Sequence, residues 1–133
     1  MATLRQPLPR PDLAAHNRAT RMPFRTVISE LQDILGAKLV AYIAGVKETR
    51  AVHEWAKGER EPKDPELEKR LRLVLQIAHL LTEHDNREVA QAWFQGLNPQ
   101  LDDRVPATLL REGDVAEAGR EVLAAARAFV VGG

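Results

Sequence analysis

The chain has 133 residues, 44% of them hydrophobic, and its 19 Lys/Arg balance 19 Asp/Glu to a formal net charge of zero; it can bury one core, or two small ones that share it. There is no cysteine, which excludes disulfides and thiolate metal sites and fits a reducing cytoplasm. No apolar run approaches the length of a membrane span, and the proline-rich start lacks the apolar stretch of a secretory signal.

Charge is unevenly placed along this neutral chain. Residues 1–22 carry Arg5, Arg10, Arg18 and Arg21 against Asp12, whereas from Lys63 onward nine Lys/Arg meet twelve Asp/Glu. A basic front and an acidic rear suit a phosphate-facing arm and a protein-facing back; they equally suit a solvated tail followed by ordinary helix surfaces. Pro7, Pro9, Pro11 and Pro23 remove backbone donors and restrict their neighbours, so residues 1–22 are expected to form a flexible arm.

Helical patterning starts near Phe24, where Val27, Ile28, Leu31, Ile34 and Leu35 recur at three- and four-residue steps. Gly36 ends that helix. A short helix over Ala37–Ala44 stops at Gly45, and a third runs from Thr49, whose hydroxyl is a candidate cap, to Lys57 before Gly58 and Pro62. Asp64-Pro65-Glu66 is a strong helix start, with a capping carboxylate, proline in the first turn and acid at the positive dipole end. The helix that follows is expected to reach Leu81. It carries two apolar stripes, Leu67, Leu71, Val74, Ala78 and Leu81 on one side and Leu73, Ile77 and Leu80 on another. That pattern predicts a central strut buried on more than one face.

Asp85-Asn86-Arg87-Glu88 opens a further helix that contributes Val89, Ala92, Trp93 and Phe94. Gly96 to Asp103 reads as a connector, Pro106 fits only the first turn of a short helix, and Asp114-Val115-Ala116-Glu117 repeats the cap-plus-acid signature. The last helix buries Val115, Ala118, Val122, Ala125, Ala126 and Phe129. No useful strand alternation or internal repeat is present, so the expected class is all-α. The expected organisation is an arm over 1–22, a front region with the central helix over 23–82, and a rear unit over 83–133.

Leu39 to Gly58 resembles an Xre-like helix-turn-helix. Ala41 is small where two helices cross, Gly45 suits a positive φ, Val46 plugs the corner, and Val52 and Trp55 pin the second helix. The interval from Gly45 to Val52 is one residue longer than the usual spacing, which implies an extended turn. The resemblance implies that the second helix faces DNA. Lys47, Thr49, Arg50, His53, Lys57 and Arg60 are then the binding residues, with Arg50 suited to a guanine edge and Lys47, Lys57 and Arg60 to phosphates. Against this, the stretch from Gly36 to Pro62 has five basic and four acidic residues. Phosphate neutralisation is weak at that margin, and a helix-turn-helix scaffold without DNA affinity is the competing reading.

The rear run Trp93-Phe94-Gln95-Gly96-Leu97-Asn98-Pro99-Gln100-Leu101-Asp102-Asp103-Arg104-Val105-Pro106-Ala107-Thr108-Leu109-Leu110 resembles the toxin-binding domain of Xre/MbcA/ParS-type antitoxins. Where that family commonly has two small residues before the arginine, often glycine, this chain has Asp102 and Asp103, which fit a helix cap. The resemblance implies a partner, a RES-domain toxin that consumes NAD, and a toxin-binding surface of Trp93, Asn98, Pro99, Arg104, Pro106, Arg127, Phe129, Val130, Val131, Gly132 and Gly133. The final residues are expected to form an apolar hook that enters the toxin cleft. Plain structural roles compete for several of these: Trp93, Leu109 and Leu110 as core, Pro99 and Pro106 as connector shapers, and the terminus as a frayed end.

Nothing in the sequence points to catalysis. His79 and His84 are a poor pair for one metal from one helix face, and no nucleophile elbow, Walker loop or dinucleotide fingerprint is present. The expectation is a non-enzymatic antitoxin without cofactor or metal. It occludes a RES-type toxin, with operator DNA as a second partner and a homodimer inside a larger complex. The alternative is a stand-alone helix-turn-helix regulator whose rear helices only dimerise.

Overall fold

A computed structural model of the protein describes Leu13 and residues 22–132; the expected arm therefore lies outside the described residues, apart from Leu13 and Met22. Among the described residues 22–132, seven α-helices follow in order: α1 Phe24–Leu35, α2 Ala37–Ala44, α3 Thr49–Lys57, α4 Pro65–His84, α5 Arg87–Gln95, α6 Pro106–Glu112 and α7 Val115–Gly132. A 3₁₀ turn, Pro99–Leu101, lies between α5 and α6. The described residues contain no strand, only an isolated bridge between Asn98 and Arg104. The fold is all-α.

Local chemistry sets the helix ends. Gly45 and Gly58 both take the left-handed conformation, at φ 79° and 75°. Each lets the chain double back so that the next amide reaches five residues upstream, Val46 N to Ala41 O at 3.1 Å and Glu59 N to Glu54 O at 3.0 Å. These are Schellman-type exits, and they need a residue free of a Cβ penalty. Asp64 accepts from Glu66 N at the start of α4. Asn86 accepts from Val89 N at the start of α5, and Asp114 from Glu117 N at the start of α7. Two expectations are corrected here. Thr49 is not the cap of α3: it is the first helical residue, and Glu48 sits at the cap position without a side-chain bond, because the helix starts one residue earlier than a Thr49 cap requires. And α4 does not end at Leu81 but continues to His84. Its last turn keeps the helical ladder up to Asp85 N, 2.8 Å from Leu81 O, so the expected boundary between residues 82 and 83 falls inside it.

The core is built around α4. Its residues Leu71, Val74, Leu75, Ile77, Ala78, Leu80 and Leu81 are all buried. The helix packs against α1 and α2 from the front and against α5 and α7 from the rear. One hydrophobic cluster runs through both halves, from Phe24, Val27, Ile28 and Trp55 to Phe94, Leu110, Val122 and Ala126. Phe24 and Trp55 meet edge-on at 6.1 Å between centroids. Polar ties also cross between the halves. Tyr42 Oη lies 2.9 Å from Thr108 Oγ1, Arg111 donates to Tyr42 O at 2.9 Å and stacks over its ring, and Gln91 donates to Ile34 O at 2.7 Å. His79, buried on α4, is 3.1 Å from Glu30 on α1. Ala92, an expected core residue, is instead exposed, and Ala90 is the buried alanine of α5, because it falls on the same face as Trp93 and Phe94.

Gly113, between α6 and α7, is extended at φ −86°, yet the position has no room for a side chain. A Cβ there would lie 2.7 Å from Leu109 O and 2.8 Å from the Ala118 Cβ, and the first of these is backbone. Gly113→Ala is expected to lower stability by about 1–3 kcal/mol, the usual cost of overpacking, seen as a lower urea midpoint at unchanged slope. Gly132, with nothing within 4 Å of its would-be Cβ, serves as the control: Gly132→Ala leaves the midpoint unmoved.

Candidate protein-docking site

The rear half presents an open groove of about 350 Å³. One wall is the end of α5, with Ala92 and Trp93; the other is α7, with Ala125, Ala128 and Phe129; the connector from Gly96 to Gln100 closes the end. Trp93 is only 9% exposed. It is held by Phe94 at 5.3 Å, edge to face, and by Phe129 at 6.4 Å. This aromatic trio joins α5 to α7 and makes the groove floor stiff and apolar.

The connector is held by its own backbone. Asn98 is 7% exposed, and its side chain accepts from Gln100 N at 2.9 Å. Its carbonyl takes the amides of Leu101 and Asp103, both at 2.9 Å, and its amide donates to Arg104 O at 3.1 Å. Arg104 closes the loop from the other side: Nε donates to Leu101 O at 2.7 Å and Nη2 to Glu121 on α7 at 3.0 Å. Pro106 is buried in the first turn of α6. Asn98, Arg104 and Pro106 thus shape the loop and anchor it to α7, and Arg104 alone of the three is exposed. Contrary to expectation, Asp102 and Asp103 do not cap the helix that follows: Val105 holds that position, and Asp102 instead ends the 3₁₀ turn. Both aspartates are left-handed, at φ 55° and 59°. That is the conformation glycine takes freely, and Asp tolerates it better than most residues.

Two large apolar side chains face solvent beside this frame. Leu97, in the connector, is 73% exposed, and Val131, near the end of α7, is 88% exposed. Pro99 is exposed, while Phe129 and Val130 are half-buried against the core. α7 stays helical through Gly132, with Phe129 and Val130 docked on the core in its last turns. Gly133 lies outside the described residues. Arg127 is exposed on α7. Sequence reasoning gave no binding role to Ala92, Gly96, Leu97, Gln100 and Ala125, which line the groove; only Leu97, an apolar residue between glycine and Asn-Pro in a connector, carries a signal that could find it.

At the front, Lys47, Arg50, His53, Lys57 and Arg60 are exposed and Thr49 is half-buried. Around α3 they border two shallow hollows of about 390 and 470 Å³. Gln32 Nε2 donates to His53 Nδ1 at 2.8 Å. Arg50 is 2.9 Å and Arg60 3.5 Å from the carboxylate of Glu54.

Together these features define a class: an all-helical protein with two short helices joined by a four-residue turn at the front and an apolar groove at the rear. No protein-family model matches the chain, and no curated protein matches it. Among solved structures it is similar to a chain of the crystal structure of the M. tuberculosis MbcT–MbcA toxin–antitoxin complex, at 27% identity and a TM-score of 0.65, over 81% of this chain and 94% of that one. This similarity agrees with the resemblance of the rear motif to an MbcA-like antitoxin. No helix among the described residues is long and apolar enough to cross a membrane.

The left-handed pair gives a direct test of the connector. Asp103→Val is expected to cost about 1–2 kcal/mol, since a β-branched residue resists positive φ, whereas Asp103→Gly costs nothing measurable. Equal urea midpoints for the two variants would show that this turn does not limit stability.

Proposed function

We propose that the protein is the antitoxin of a toxin–antitoxin pair, and that it neutralises a RES-domain, NAD-degrading toxin by covering the mouth of its active-site cleft. The observation that carries this reading is Leu97, an exposed apolar side chain on the lining of a preformed apolar groove, with the exposed Val131 two residues beyond the groove residue Phe129 on α7. An exposed Leu alone means little, but exposed apolar residues gathered around a rigid aromatic floor are what an interface core needs. The similarity to a toxin–antitoxin complex supports the same assignment. The mechanism is steric. The groove rim and the end of α7 exclude substrate, and this chain supplies no reactive group. Trp93, Pro99, Phe129, Val130 and Gly132 belong to the contact surface, Arg127 to its polar edge, and Asn98, Arg104 and Pro106 act by shaping it.

The alternative, a regulator whose rear helices only dimerise, would use the same apolar rim between two copies of the chain. Size measurement of the protein alone and with the toxin separates the two readings. In the antitoxin reading, Leu97→Asp and Val131→Asp each weaken toxin binding by about 2 kcal/mol or more, the range of an interface hot spot. They leave the fold unchanged by circular dichroism, and they restore NAD loss in a mixture with the toxin. Full neutralisation by the double variant would exclude this surface. A size change of the isolated protein caused by the same variants would favour the regulator.

A further inference from the structure

The front half is a separate surface, because α3 packs on α1 and α2 and shares no residue with the rear groove. Its outward face carries the cations that a duplex would meet. Arg50 is 82% exposed along its side chain, but its Nε lies 2.9 Å from Glu54 Oε1, one turn further along the helix. Arg60, beyond the helix end, reaches the other oxygen of the same carboxylate at 3.5 Å. Glu54 borders both hollows that flank α3, and its side chain is 24% exposed between the two arginines.

We propose that this helix-turn-helix is held out of DNA binding by Glu54, a single carboxylate that engages the two arginines best placed to meet a duplex. The reasoning is one of charge and position. Non-specific affinity for DNA scales with the number of phosphates neutralised. Of the four cations on this face, Lys47, Arg50, Lys57 and Arg60, two are committed to Glu54. The lysines that remain stand among Glu48, Glu59 and Glu61. Each exposed ion pair is weak by itself, so the arginines can be pulled away. Doing so, however, leaves an unpaired carboxylate at the centre of the face, directed at a polyanion. One residue thereby removes two attractive contacts and adds a repulsive one.

The test is fluorescence anisotropy of a generic labelled duplex at two salt concentrations, with the full chain and its Glu54→Gln and Glu54→Ala variants. The unmodified chain should bind weakly with a shallow salt dependence. Both variants should bind about tenfold tighter or better, and their log–log salt slope should steepen by about two, one step for each freed arginine. The triple variant Glu54→Gln, Arg50→Ala, Arg60→Ala should fall back to the original affinity, and circular dichroism should show all of these folded. Variants that bind no tighter than the unmodified chain would overturn the proposal. So would a loss of affinity in Glu54→Gln, since a glutamate that accepts from a cytosine amino group is a reader rather than a block.

Discussion

Everything in this fold depends on the burial of α4 from two sides. A twenty-residue helix spans about 30 Å, and one with apolar residues on more than one face is insoluble as a surface helix and unstable alone. The front helices cover one stripe and α5 and α7 the other. Neither half therefore completes its core without the other, and the ties from Tyr42 to Thr108 and from Gln91 to Ile34 sit on top of that shared burial. The rear groove inherits its rigidity from this arrangement. Its α7 wall lies so close to α4 that a Cβ on Gly119 would fall 2.3 Å from the Leu73 side chain, so the glycine sets the distance between strut and wall.

Much of this architecture is legible in the residues alone. Every helix is announced by an apolar period and a stop or start signal, because Gly, Pro and Asp act through local backbone chemistry that needs no tertiary context. The two stripes of α4 point to the central strut for the same reason. The departures arise where tertiary packing or a longer turn intervenes. Helix α4 runs on past Leu81 because nothing breaks the ladder before Asp85. Ala92 turns outward because Ala90, two positions earlier, shares the buried side with Trp93 and Phe94. The Asp102-Asp103 pair looks like a cap by composition, yet it serves as a left-handed corner; the two uses demand the same short polar side chain, and only dihedral angles separate them.

The front and rear surfaces fail to be legible in different ways. For α3, Arg50, His53 and Lys57 are exposed as spacing predicts while Thr49 and Glu54 are half-buried, but spacing does not show that Arg50, Glu54 and Arg60 form one cluster: Arg60 lies beyond the helix end, and Gly58 folds the chain back to bring it there. Counting charges gives a margin of one in favour of cations, while the geometry commits two of those cations to one acid. A charge census measures the long-range field; recognition depends on which charges are still unshared at contact distance.

For the rear, the residues that carry the resemblance and the residues that face outward are largely different sets. Asn98, Arg104 and Pro106 spend their hydrogen bonds and surface on the loop and its anchorage to Glu121 and α6. Leu97, which stands in solvent, lies within the run that carries the resemblance but shapes none of the loop's bonds, and Val131, also in solvent, lies beyond that run. This division follows from physics: a connector of ten residues, 96–105, that must hold a fixed shape against water needs its polar groups satisfied internally, and that requirement constrains residue identity tightly. An exposed apolar side chain is constrained only by what it touches in a partner. A motif therefore transmits the frame of a docking site, whereas the choice of partner rests with the side chains the frame holds out, which the motif leaves open. Resemblance speaks most strongly for the groove and least for its occupant. Substitutions in the frame should impair any partner alike, and substitutions at Leu97 or Val131 should discriminate between partners.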